Sequence, residues 1–65
     1  MPWSEDRYPP AMNHLDPRIR AKAIEIANAL LREGHEEGFC IRVGIARAHE
    51  WANARREPRA RFDRF

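Results

Sequence analysis

Between Asp16 and Gly34 the apolar positions recur at the spacing of a helix. In DPRIRAKAIEIANALLREG, Ile19, Ala23, Ile26, Ala27, Leu30 and Leu31 fall on one broad arc at about 100° per residue, while Arg18, Lys22, Glu25 and Arg32 fall opposite. Asp16 is placed to accept from the first unpaired backbone N–H groups, and Pro17 occupies the first helical position, where its missing donor costs nothing. Gly34 supplies the stop, because it enters the left-handed conformation without a Cβ clash. The spacing therefore predicts an amphipathic helix over residues 17–33, with Arg18/Lys22 and Lys22/Glu25 as solvated i,i+4 and i,i+3 pairs.

The second run is ambiguous in period. FCIRVGI alternates Phe39, Ile41, Val43 and Ile45 with Cys40, Arg42 and Gly44, as a strand does. No other β-like run exists to pair with it, and a lone strand leaves its backbone groups unsatisfied wherever it is buried. Helical geometry instead gathers Ile41, Ile45, Ala48 and Ala52 on a stripe flanked by Gly44 and Trp51, with Arg42, His49 and Asn53 on the polar side. A second helix over about 37–56 follows. The N-terminal MPWSEDRYPPAMNHLD has three prolines and no sustained period, so it reads as an arm with at most one helical turn around Pro10 to His14. Its Trp3, Tyr8, Met12 and Leu15 are expected to lie over the hairpin.

The predicted fold is thus all-α: a small helical hairpin of two main helices, 17–33 and 37–56, covered by an N-terminal arm. Residues 1–56 form the single domain, and 57–65 a basic tail. Phe39 and Val43 fall off the second helix's main stripe. Either the arm covers them, which is the favoured expectation, or they belong to a surface that meets a partner.

Composition narrows function mainly by exclusion. Sixty-five residues bury too little surface for a deep catalytic cleft, and 43% hydrophobic with 34% charged residues is ordinary for a folded domain rather than a disordered chain. A single cysteine, Cys40, cannot build an internal disulfide framework, and no apolar run reaches signal-peptide or membrane-span length. The expected setting is a reducing cytoplasm without membrane insertion. The net charge of +2 is unevenly spread: residues 1–54 carry seven cations against eight acids, and residues 55–65 carry five against two.

Candidate chemistry is sparse. GHEEG, from Gly34 to Gly38, could be a metal site or a chain reversal, and the reversal fits better, since Glu36 and Glu37 then sit at the positive start of the second helix. His14, His35, His49 and Cys40 show no ligand pair at zinc spacing, so no metal or other cofactor is expected. His49-Glu50 lacks the second histidine of a metalloprotease, Asn53 standing in its place. Cys40 and His49 would lie on different faces of one helix, which makes Cys40 a small buried hydrophobe rather than a thiolate nucleophile. The chain is expected not to be an enzyme. A helix-turn-helix reading fails on the length of the first helix and on Arg42, Arg47, His49 and Asn53 being spread over several faces.

MPW, YPPAMNHL, RAKAIEIANALLREGHEEG and IARAHEWA together resemble the N-terminal module of the small bacterial YdaT-type proteins and, more distantly, the ChaB-type cation-transport regulators. The resemblance runs from about Met1 to Asn53. It implies a few packed helices in a bacterial cytosolic protein, no established catalytic activity, and no transferable site residues. The segment between the helices is shorter than the ChaB-type pattern, and REPRARFDRF matches neither family.

These readings converge on a non-enzymatic protein-binding or regulatory module whose partner is another protein. The candidate contacts are Phe39, Val43, Arg47 and Glu50 on the outer side of the second helix, with Arg59, Arg61 and Phe62 of the tail. The alternative is nucleic-acid binding through the arginine-rich tail, and a further one is ChaB-like regulation of ion transport.

Overall fold

Asp16 and Pro17 start the first helix, α1 (Pro17–Arg32), as expected: the Arg18 N–H donates to Asp16 Oδ1 at 2.9 Å. A computed structural model describes residues 3–56 of the chain. The end of α1 is closed by two crossing backbone bonds, Gly34 N–H to the Leu31 carbonyl at 3.0 Å and His35 N–H to the Leu30 carbonyl at 3.2 Å. Gly34 sits at φ +99°, the left-handed region that this closure demands. Gly34→Ala leaves the bonds but adds a Cβ to that backbone, so it is expected to lower the unfolding free energy by about 1–2 kcal/mol, read as an earlier midpoint in chemical denaturation.

Two residues later the chain re-enters helix as α2 (Glu37–Arg56), with the Cys40 N–H donating to the Glu36 carbonyl and Glu37 in the first turn, where the exposed N–H groups favour its charge. Residues 39–45 are helical throughout, so the alternation in FCIRVGI divides between two sides of a helix, Ile41 and Ile45 packing beside the core and Phe39 and Val43 lying away from it. Among the described residues there is no strand, and the extended pairing is one isolated bridge in the arm, Ser4 with Arg7.

The two helices meet along small side chains. Ala23 and Ala27 of α1 face Cys40, Gly44 and Ala48 of α2, all buried, and Ala52 continues the line. The approach is tight at Gly44: a methyl group built there would stand 2.9 Å from the Ala23 carbonyl oxygen and 3.2 Å from the Ala27 Cβ. The seam therefore corrects the expected stripe on two counts. Ile41 and Ile45 are half-buried beside it, whereas Cys40 and Gly44 lie within it. On α1, Ile24 is buried and Ile26, expected in the core, is only half-buried and lies outside the core cluster.

The large apolar volume comes instead from the arm. Met12 is fully buried and Leu15 nearly so, packed with Ala23, Ile24, Ala27, Cys40 and Ala48, and Trp3, Tyr8, Leu30, Leu31, Ile41 and Ile45 close round them. The anticipated helical turn is a short 3-10 segment, Pro10–Met12, with Pro10 at its start.

The arm is fastened to α1 by two polar clasps. Trp3 donates its backbone N–H to Asn28 Oδ1 and accepts from Asn28 Nδ2, both at 2.9 Å, so one amide side chain mimics a pairing strand. The Arg20 guanidinium donates through Nε to the Met12 carbonyl at 3.2 Å and through Nη2 to the Leu15 carbonyl at 2.8 Å, and lies 4.7 Å from the centre of the Tyr8 ring. One planar group thus satisfies two carbonyls of the irregular segment that precedes α1.

Candidate interaction surface

The clasps decide which flank of the hairpin the arm covers. Arg20, Ile24 and Asn28 lie to one side of the Ala23/Ala27 line on α1, and Lys22 and Ile26 to the other, by the rotation of about 100° per residue. The arm occupies the first side. The expectation that it covers Phe39 and Val43 is not met, because these two residues belong to the second side and are outside the core cluster.

On α2, Phe39, Val43, Arg47 and Glu50 fall within about 80° of arc, so helix geometry brings all four onto one strip. Phe39 and Val43 are half-buried, and Arg47 and Glu50 are exposed. The Phe39 ring is steadied at its own end of the helix by the His35 ring, with centroids 4.9 Å apart and tilted by 33°. Of the other expected contacts, Arg59, Arg61 and Phe62 lie outside the described residues. α1 contributes Ile26 and Lys22 to the same flank, two neighbours that sequence reasoning did not include. Lys22 places its amine 5.3 Å from the Trp51 ring centre and 3.4 Å from Glu25 Oε1, tying the open end of the hairpin together.

The flank combines apolar patches with single charges of both signs. Among the described residues Lys22 pairs with Glu25 and His35 Nε2 lies 3.6 Å from Glu33 Oε1, and Arg47 and Glu50 enter neither contact. Beyond this flank the chemistry is muted. Cys40 is fully buried with Sγ 3.6 Å from the His35 carbonyl oxygen, and His49 is exposed on another face, so the two do not meet. Among the described residues no group of three or more His, Cys, Asp or Glu is arranged to hold a metal ion, and every buried side-chain nitrogen or oxygen has a hydrogen-bond partner. No helix of the described residues is long and apolar enough to cross a membrane.

No family model matches the sequence, and no solved structure matches it. Among curated proteins, it is 48% identical over 52 residues to the uncharacterized protein YdaT of Bacillus subtilis (strain 168). The matched region takes in 80% of this chain and 35% of that relative, so the chain spans about a third of the relative's length. Over four-fifths of its own length this all-α helical hairpin is thus similar to the YdaT protein, a relative that is itself uncharacterized.

Proposed function

We propose that this chain is a non-enzymatic protein-binding or regulatory module, and that it engages a protein partner through the flank bearing Phe39, Val43, Arg47 and Glu50. The observation that carries this reading is the one-sidedness of the arm. It seals one flank of the hairpin with Trp3, Tyr8, Met12 and Leu15 and leaves Phe39, Val43 and Ile26 outside the core on the other. A half-buried aromatic and a half-buried valine next to an exposed arginine and glutamate that enter no ion pair among the described residues match the usual make-up of a contact patch, in which apolar anchors supply affinity and charges select the partner.

Replacing Phe39 and Val43 together with serine tests the assignment. As surface residues they are expected to cost under about 1 kcal/mol of stability, leaving the helical circular dichroism signal and a cooperative melt in place. Loss of the fold would make them core and end the proposal. A photo-reactive residue at position 43 should meanwhile give discrete cross-links that vanish in the Phe39→Ser background, whereas one at Glu25 should not.

The arginine-rich end favours a second reading, nucleic-acid binding, since residues 55–65 carry five cations against two acids. Its signature is a low-salt gel shift that weakens steeply with added salt and disappears when residues 57–65 are removed.

A further inference from the structure

The charges on the flank are arranged to suit a copy of themselves. Along α2, Val43 lies four residues before Arg47, Glu50 three after it, and the exposed Ala54 four after Glu50. Read from either end, the strip therefore runs apolar, charge, opposite charge, apolar. We propose that the occupant of this flank is a second copy of the chain, packed antiparallel about a two-fold axis beside residues 48 and 49; this rests on the flank being a protein-binding surface. Arg47 of each copy then faces Glu50 of the other, and Val43 faces Ala54, every contact occurring twice as a closed symmetric interface requires.

Antiparallel packing is also what the ends of the hairpin favour. The turn end carries Glu33, Glu36 and Glu37 against Arg32, all exposed. The open end carries Arg18, with Asp16 engaged as the helix cap and Lys22 paired with Glu25. Two antiparallel hairpins keep their acidic turn ends apart, whereas a parallel pair would set them side by side. A pairing centred on Arg47 itself would place two guanidiniums together, which selects the offset that matches Arg47 with Glu50. The arms stay on the outer faces, because the clasped flank of each copy points away from the axis.

Sedimentation velocity over a concentration series, using the full chain, tests this. The wild type is expected to move from the 7.7 kDa monomer to twice that mass as concentration rises. Arg47→Glu and Glu50→Arg each create two like-charge contacts and should raise the dimer dissociation constant by about tenfold or more. The Arg47→Glu/Glu50→Arg double variant re-forms both pairs with reversed polarity and should return to the wild-type value, while Arg42→Glu, on another face, should change nothing. A chain that stays monomeric at millimolar concentration, or a dimer indifferent to both single reversals, overturns the proposal. In that event the cross-linker at position 43 identifies what sits there: capture of a different protein keeps the flank as a binding surface and removes the two-fold, and attachment to residues 57–65 of the same chain removes both.

Discussion

Gly44→Val is expected to unfold this protein, or to leave a melt so low and broad that little native signal survives at room temperature. Even the first carbon of the new side chain would stand 2.9 Å from the Ala23 carbonyl oxygen and 3.2 Å from the Ala27 Cβ, and the nearest atoms are backbone and a methyl group that have no rotamer to change. The helices must move apart, which loosens the contacts of Ala23, Ala27, Cys40 and Ala48 together. Overpacking of this kind costs about 3 kcal/mol or more when the backbone has to yield. A domain of this size has only about 3–8 kcal/mol of stability in total, so the midpoint should fall by more than about 12 °C. Gly38→Ala is the matched control. A methyl group there meets nothing nearer than an Arg42 guanidinium nitrogen at 3.8 Å, and the gain in helix propensity should raise stability by about 0.5 kcal/mol. Two glycine substitutions in one helix with effects of opposite sign would locate the seam; a tolerated Gly44→Val would refute it.

Arg20→Ala should detach the arm without dissolving the hairpin. The substitution removes donors from the Met12 and Leu15 carbonyls and the cation from beside Tyr8. The Leu15 carbonyl loses its donor and the Met12 carbonyl keeps the Leu15 N–H at 3.2 Å, so a loss of about 1–3 kcal/mol is expected. Because Met12 and Leu15 supply most of the bulky core, their departure is the larger consequence. Amide hydrogen exchange separates the two parts: protection at Met12 and Leu15 should collapse, while the Ala23 and Gly44 amides exchange more slowly than these. Arg20→Lys should recover only part of the loss, since an ammonium group cannot span both carbonyls in one plane. Uniform loss of protection across both helices would show instead that arm and hairpin unfold as one unit.

The elements themselves were legible because local chemistry specifies them. Asp16, Pro17 and Gly34 bracket α1 through effects that act within a single turn, and the observed bounds differ from the expected ones by one residue at the end of α1. The turn chemistry of Glu36 and Glu37 was equally local. What the sequence concealed was how closely the helices approach. A stripe chosen by hydrophobicity selects Ile41 and Ile45, whereas a close crossing selects for lack of volume, and Gly44 was accordingly read as a neighbour of the core and not its centre. Arg20 was overlooked although it carried a signal: it falls on the apolar arc of α1 between Ala27 and Leu31, where a solvated arginine does not belong. Asn28 follows Ala27 on the same side and was passed over for the same reason.

The candidate flank was half legible. Phe39, Val43, Arg47 and Glu50 share a strip by helix geometry alone, and the structure keeps them together. Their exposure was not deducible, because it depends on which side the arm takes, a choice made by Asn28 and Arg20 far away in sequence. Arg59, Arg61 and Phe62 remain expectations from composition, as they lie outside the described residues.

The clasps reach for main-chain atoms: the amide and carbonyl of residue 3, and the carbonyls of residues 12 and 15. Nearly any amino acid offers those same atoms. The instructions for seating the leading segment are thus written on α1, and substitutions between residues 4 and 7 leave its mooring points untouched, whereas a change at 28 unfastens residue 3 and a change at 20 unfastens residues 12 and 15.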